Sequence, residues 1–136
     1  MKLLIFYVNS FSFETNHKGL ESAVESNIKE EINNAVLGFI HVEEKDESNS
    51  SDVETKLIKN LKWAARKNET NRIILHSFNH LSESSANPEF TKKMLNNAEF
   101  RLRNSEYSVS QTPFGYFLNI KMDAPGNPLA RIFKEF

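Results

Sequence analysis

Residues 52–77, DVETKLIKNLKWAARKNETNRIILHS, change their period midway, and that change decides the fold class. Val53, Leu57, Leu61, Ala64 and Ala65 recur at the spacing of one helical stripe, widened by Ile58, while Lys56, Lys59, Lys62 and Arg66 take the opposite face. Ser51 or Asp52 can cap the first turn. Asn68 to Asn71 reads as a turn, and Arg72-Ile-Ile-Leu-His-Ser77 is then a short apolar run that reads as another strand. Upstream, Ala35 to Val42 has the same composition. Strand, helix and strand in this order make a βαβ unit, with parallel strands and a right-handed crossover.

Working outward, Leu3 to Val8 is a continuous apolar, partly β-branched run, as expected of a central strand buried on both faces, and Phe11 and Phe13 alternate with polar residues beyond it. This reads as two strands joined by a hairpin at Asn9-Ser10. Residues 16–33 are polar, with a short helix expected around Ser26 to Asn33. A second long helix is signposted by Asn87 as cap, Pro88 in its first position and Glu89 in its first turn, with Phe90, Met94, Leu95, Ala98 and Leu102 facing inward. Tyr107 to Gln111 and Tyr116 to Met122, flanking the Thr112-to-Gly115 turn, read as an antiparallel hairpin, and Asn127-Pro128 starts a final helical turn. The fold class is therefore α/β, and 136 residues suit one domain spanning 1–136.

Composition narrows the chemistry. The chain has no cysteine, which excludes disulfides, zinc-thiolate sites and a cysteine nucleophile, and fits a reducing cytoplasm. Seventeen basic and eighteen acidic side chains nearly cancel, so any nucleic-acid contact has to come from a local patch. Trp63, set among the helix cations, is either covered by lysine stems or part of a contact surface for RNA or a second subunit. The apolar N-terminal run is too short to cross a bilayer, so no membrane role is expected. No Walker loop, dinucleotide fingerprint, nucleophile elbow or paired-carboxylate motif is present, and no cofactor is implied.

The histidines are the first candidates for chemistry. His76 and His80 are four residues apart, but they span a strand end and a loop without a third ligand nearby, so no metal site is expected. His80 lies just past the C-terminal end of a parallel strand, the edge at which open α/β sheets bind ligands. His17 and His41 have no such context. The site expected from these residues is a loop-lined pocket near His80 and the Phe114-Gly115-Tyr116 corner.

Several blocks, taken in order, carry a resemblance. They are Leu3-Leu4-Ile5, the Ala35-to-Val42 strand with its acidic loop, Phe78-Asn79-His80-Leu81-Ser82, Ala86-Asn87-Pro88, Thr112-Pro113-Phe114-Gly115-Tyr116 and Gly126-Asn127-Pro128-Leu129-Ala130. Together they resemble the N-terminal editing domain of archaeal threonyl-tRNA synthetase, nearly end to end. The resemblance implies a D-aminoacyl-tRNA deacylase-like fold, with mixed β-sheet layers and two main helices packed on one face, usually as a homodimer. It implies hydrolysis of serine wrongly esterified to tRNA(Thr), at a pocket for the aminoacylated 3′ end. Its partner would be the catalytic body of threonyl-tRNA synthetase, or the domain would act in trans as a free-standing copy.

By the same resemblance His80 is the catalytic candidate. Val42, Ser77, Phe78, Asn79, Phe114, Gly115, Tyr116, Phe117, Leu118 and Arg131 are the substrate-binding candidates. Well-known members follow PFGY with tyrosine and lysine, and the P-L-A of the tail with glutamate; this chain has Phe117, Leu118 and Arg131 there. A lysine at such a place could orient water or stabilise an oxyanion. The family is described as using the substrate's own 2′-hydroxyl to activate water, which leaves hydrolysis open to this chain. The alternatives are a catalytically weakened or inactive aminoacyl-tRNA-binding module and, by fold analogy, a D-aminoacyl-tRNA deacylase.

Overall fold

A computed structural model describes residues 1–136. Its strands are β1 (Lys2–Lys18), β2 (Lys29–His41), β3 (Arg72–Ser77), β4 (Ser108–Gln111), β5 (Tyr116–Asp123) and β6 (Arg131–Glu135); its long helices are α1 (Ser50–Lys67) and α2 (Pro88–Asn104). They form one sheet in the order β4-β3-β2-β1-β5, with β6 added to the first half of β1. The βαβ reading holds: β2 and β3 are parallel, from Val36↔Ile73 to Ile40↔Ser77. β4 continues the pattern parallel to β3, so α2 is a second crossover.

The helical stripe of α1 is buried as the periodicity requires, with Val53, Leu57, Ile58, Leu61, Ala64 and Ala65 in one core with Met94, Leu95, Ala98 and Leu102 of α2. Leu3, Ile5, Val36, Ile40 and Ile73 meet them from the sheet. Both helices thus cover one face. Pro88 opens α2, and the Asn87 side chain accepts a hydrogen bond from the Glu89 amide at 2.8 Å. Trp63 lies at the rim of α1, 39% exposed, with the Lys67 ammonium 5.9 Å from its ring. No helix is long and apolar enough to cross a membrane.

Three expected elements are different. No hairpin forms at Asn9-Ser10; β1 runs through it as a single strand of 17 residues. The break read there is real, but it is a change of face. Asn34 adopts a left-handed φ of 53°, and the rung it would share with Asn9 is missing between Val8↔Ala35 and Ser10↔Asn33. Strict alternation from Leu3 and Ile5 would aim Phe11 and Phe13 at the helices, yet they pack in a second cluster with Val8, Leu37, Phe39 and Ile74.

The helix expected around Ser26 to Asn33 is instead the start of β2, where Lys29 to Asn33 pair with Glu14 to Ser10. Its polar side chains give no local strand signal, so the partner strand decides. The hairpin expected from Tyr107 to Met122 also does not form. β4 lies beside β3 and β5 beside β1, at opposite ends of the strand order. The short Thr112-to-Gly115 link spans these two edges, which requires the sheet to curl until they approach each other. The final strand β6, antiparallel to β1, has no forerunner in the sequence reading.

Candidate functional site

Curling the sheet gathers four segments around a cleft of about 270 Å3. Ser77 to His80 follow β3, Pro88 and Thr91 belong to the first turn of α2, Phe114 to Leu118 lead into β5, and Gly19 and Leu20 follow β1. The FNHLS and PFGY blocks, more than thirty residues apart in the chain, thus face the same space. His80 is exposed at the mouth, its ring 4.9 Å from Phe78 and 6.3 Å from Phe117. Phe117, 54% exposed, also lies 6.3 Å from the His17 ring.

Hydrogen bonds from the backbone set the corner opposite. Gly115 has φ +83°, and its carbonyl accepts from the Gly19 amide at 2.7 Å and the Leu20 amide at 3.1 Å. The Tyr116 hydroxyl accepts from the Ser26 amide at 3.0 Å, which fixes the ring against the 19–28 segment. Lys92 sits behind Phe114, 5.6 Å from the ring centroid, and donates to Gln111 Oε1 at 3.1 Å. Burial pushes its pKa down, against the opposing pull of Glu99. Leu118 packs on the second core cluster.

Most of the expected site residues therefore line the cleft, while Val42 and Arg131 do not. Val42 is buried in the main core and offers only its carbonyl, to the Ala86 amide at 3.0 Å. Arg131 begins β6 opposite Phe6, with β1 and β2 between it and β3.

What holds the His80 loop is a set of residues outside those expected at the site. His41 is fully buried; its Nδ1 accepts from the Leu81 amide at 3.0 Å, so its Nε2 carries the hydrogen and donates to the Ser84 carbonyl at 2.7 Å. Glu43, from the acidic segment, accepts the Ser82 hydroxyl at 2.8 Å and lies 2.9 Å from the Met1 ammonium. Burial alone would push Glu43 up, but the hydrogen bonds from that ammonium and from Ser82 outweigh it and hold the pKa at about 2. Asp46 is buried beside it, 3.0 Å from the same ammonium. A strand-end histidine followed by an acidic segment was the available signal, and it gave no hint of which loop would be held.

His76 also lies in the cleft wall, 7% exposed, between the rings of Phe39 at 5.2 Å and Phe78 at 5.8 Å. Its Nδ1 is 2.8 Å from Thr112 Oγ1. Burial, and then the charge of His80, push its pKa down to about 4.

Over residues 1–136 the sequence matches the family described as the archaea-specific editing domain of threonyl-tRNA synthetase. Similar proteins include the threonine–tRNA ligases of Thermococcus sibiricus, 29% identical over 97% of this chain and 22% of the relative, and of Methanocaldococcus jannaschii, 27% identical over 99% and 22%. The chain thus spans about a fifth of the length of these relatives. Among solved structures, one titled c-Myc DNA Unwinding Element Binding Protein superposes with a TM-score of 0.67 at 14% identity, covering 100% of this chain and 99% of that one. The layers are those of the D-aminoacyl-tRNA deacylase-like fold expected from the sequence.

Proposed function

Since the chain belongs to the archaea-specific editing-domain family of threonyl-tRNA synthetase, we propose that residues 1–136 form one editing domain that hydrolyses the ester of serine mischarged onto tRNA(Thr). It acts with the catalytic body of a threonyl-tRNA synthetase or as a free-standing copy, in the cytoplasm where tRNA is charged. The observation that carries this reading is the cleft itself, in which the Ser77-to-His80 and Phe114-to-Leu118 segments face each other.

The terminal adenosine stacks on the aromatic mouth, where Phe78, His80 and Phe117 present their rings. Backbone groups of the Ser77-to-Asn79 segment and of the Gly115 corner read the aminoacyl group, and His80 orients substrate or water. A water oxygen then attacks the carbonyl carbon, the ester bond to the ribose oxygen breaks, and the proton from water ends on the leaving hydroxyl. Threonine has to be kept out sterically, because one methylene is worth only about 1–3 kcal/mol in binding.

Purified protein is expected to release serine from seryl-tRNA(Thr) and to leave threonyl-tRNA(Thr) intact. His80→Ala should slow release by roughly 100-fold, the lower end of what one positioned acid–base side chain contributes. Release no faster than in buffer rejects the hydrolytic reading, and an unchanged rate in His80→Ala removes that residue from it. The apolar pair Phe117 and Leu118 favours a second reading, an aminoacyl-tRNA-binding module without turnover, which the same assay separates by showing salt-sensitive binding alone.

We also propose that two copies pair. β5 ends the sheet with an unpaired edge, and Ile120 and Met122 on it, with Phe133 on β6, are exposed at 42%, 40% and 51%. Such an edge can add to its own copy about a two-fold axis. Light scattering is expected to give a dimer for the native chain and a monomer for Ile120→Lys; a native monomer refutes the pairing.

A further inference from the structure

The cleft has a second imidazole whose chemistry differs from that of His80. Thr112 is 6% exposed, and the one bond of its hydroxyl is to His76 Nδ1. A buried hydroxyl hydrogen without an acceptor is costly, whereas a spare lone pair is cheap. The economical arrangement has Thr112 donating to Nδ1, which puts the ring hydrogen on Nε2. Nε2 has no protein partner, and it is not among the side-chain atoms buried without one, so it keeps access to the cleft that His76 lines.

We propose that His76 is a catalytic residue, a neutral imidazole set by Thr112 to donate its Nε2–H to the carbonyl oxygen of the bound aminoacyl ester and to the oxyanion formed there. The proposal rests on the hydrolytic reading above and names the group that answers the negative charge. As water attacks, the carbonyl electron pair moves to oxygen, and the His76 N–H strengthens its hydrogen bond to that oxygen without giving up the proton. When the pair returns, the bond to ribose breaks and His76 is unchanged.

A preorganised donor in a poorly solvated wall is worth most where charge develops. The aromatic walls of Phe39 and Phe78 fix the ring plane, and burial keeps the imidazole neutral until pH falls to about 4. Leu118 offers no donor from the facing strand, so this N–H is a polar group well placed to act on the carbonyl.

Long-range 1H–15N spectra of the histidine-labelled protein at pH 7 are expected to show His76 as the Nε2–H tautomer, and Thr112→Val to shift it towards a mixture. A non-hydrolysable 3′-seryl-amide of adenosine should move the His76 Nε2–H resonance. His76→Phe, which keeps an aromatic ring against Phe39 and Phe78, should lower kcat about 100-fold, with KM changed little. A purely packing histidine bonded to Thr112 would share the tautomer but show neither the analogue-induced shift nor the loss of kcat. An Nδ1–H tautomer, or an Nε2–H resonance that the analogue leaves unmoved, overturns the proposal whether or not the variants fold. Normal kcat in His76→Phe overturns it too while leaving the hydrolytic reading intact. A native protein that engages the analogue through Nε2–H but releases no serine would instead reject hydrolysis and keep the contact.

Discussion

Gly115→Ala is expected to destabilise the protein by about 3 kcal/mol and to lower serine release by at least about tenfold, through two separate costs. The backbone has φ +83°, where an L side chain is strained by about 1–2 kcal/mol. The added Cβ would also stand 2.8 Å from Ala23 Cβ and 3.3 Å from Leu20 Cβ, atoms next to backbone that cannot swing aside. Relief requires the 19–23 segment to move away from the corner, lengthening the Gly19 and Leu20 hydrogen bonds to the Gly115 carbonyl and opening the cleft wall. Gly126→Ala is the control, since nothing lies within 4 Å of its Cβ. Urea unfolding and deacylation rates check both; equal behaviour of the two variants would show that the corner does not shape the cleft.

Glu43→Gln should cost about 3 kcal/mol at pH 7, because it leaves the buried Met1 ammonium short of one carboxylate. The pH dependence has a definite sign. The folded pKa of about 2 lies below the ordinary 4.5, so the native carboxylate contributes its full stabilisation above about pH 4.5 and loses it as pH falls towards 2. The stability gap between native and variant should therefore shrink steadily through that window, and a gap as wide at pH 3 as at pH 7 would refute the assignment. Ser82 loses its charged acceptor in the variant, so the His80 loop should exchange its amide hydrogens faster even where the fold survives.

Much of the site's cast is visible in the primary structure, because its signals are local. Asn87 and Pro88 announce α2, and the histidine beyond a parallel strand marks the ligand edge. His41, Glu43 and Asp46 gave no such signal. A buried histidine and two carboxylates become meaningful only when a loop forty residues on, or the chain's first amine, arrives to complete their hydrogen bonds. Thr112 and His76 are likewise 36 residues apart, and neither alone suggests a donor.

Periodicity decided the parts of the fold in which each side chain's environment follows from its neighbours along the chain: the stripe of α1, the stripe of α2, and the apolar runs of β2 and β3 that have to be parallel if a helix lies between them. It could not decide pairing between polar stretches. Lys29 to Asn33 became strand because Ser10 to Glu14 supplied their hydrogen-bond partners, and Tyr116 to Met122 joined β1 instead of β4 because the curled sheet put that edge within reach of a four-residue link. Long-range hydrogen bonding and the curl of the whole sheet are collective properties. No window of sequence contains them, and they made a cleft from two blocks that are each unremarkable alone.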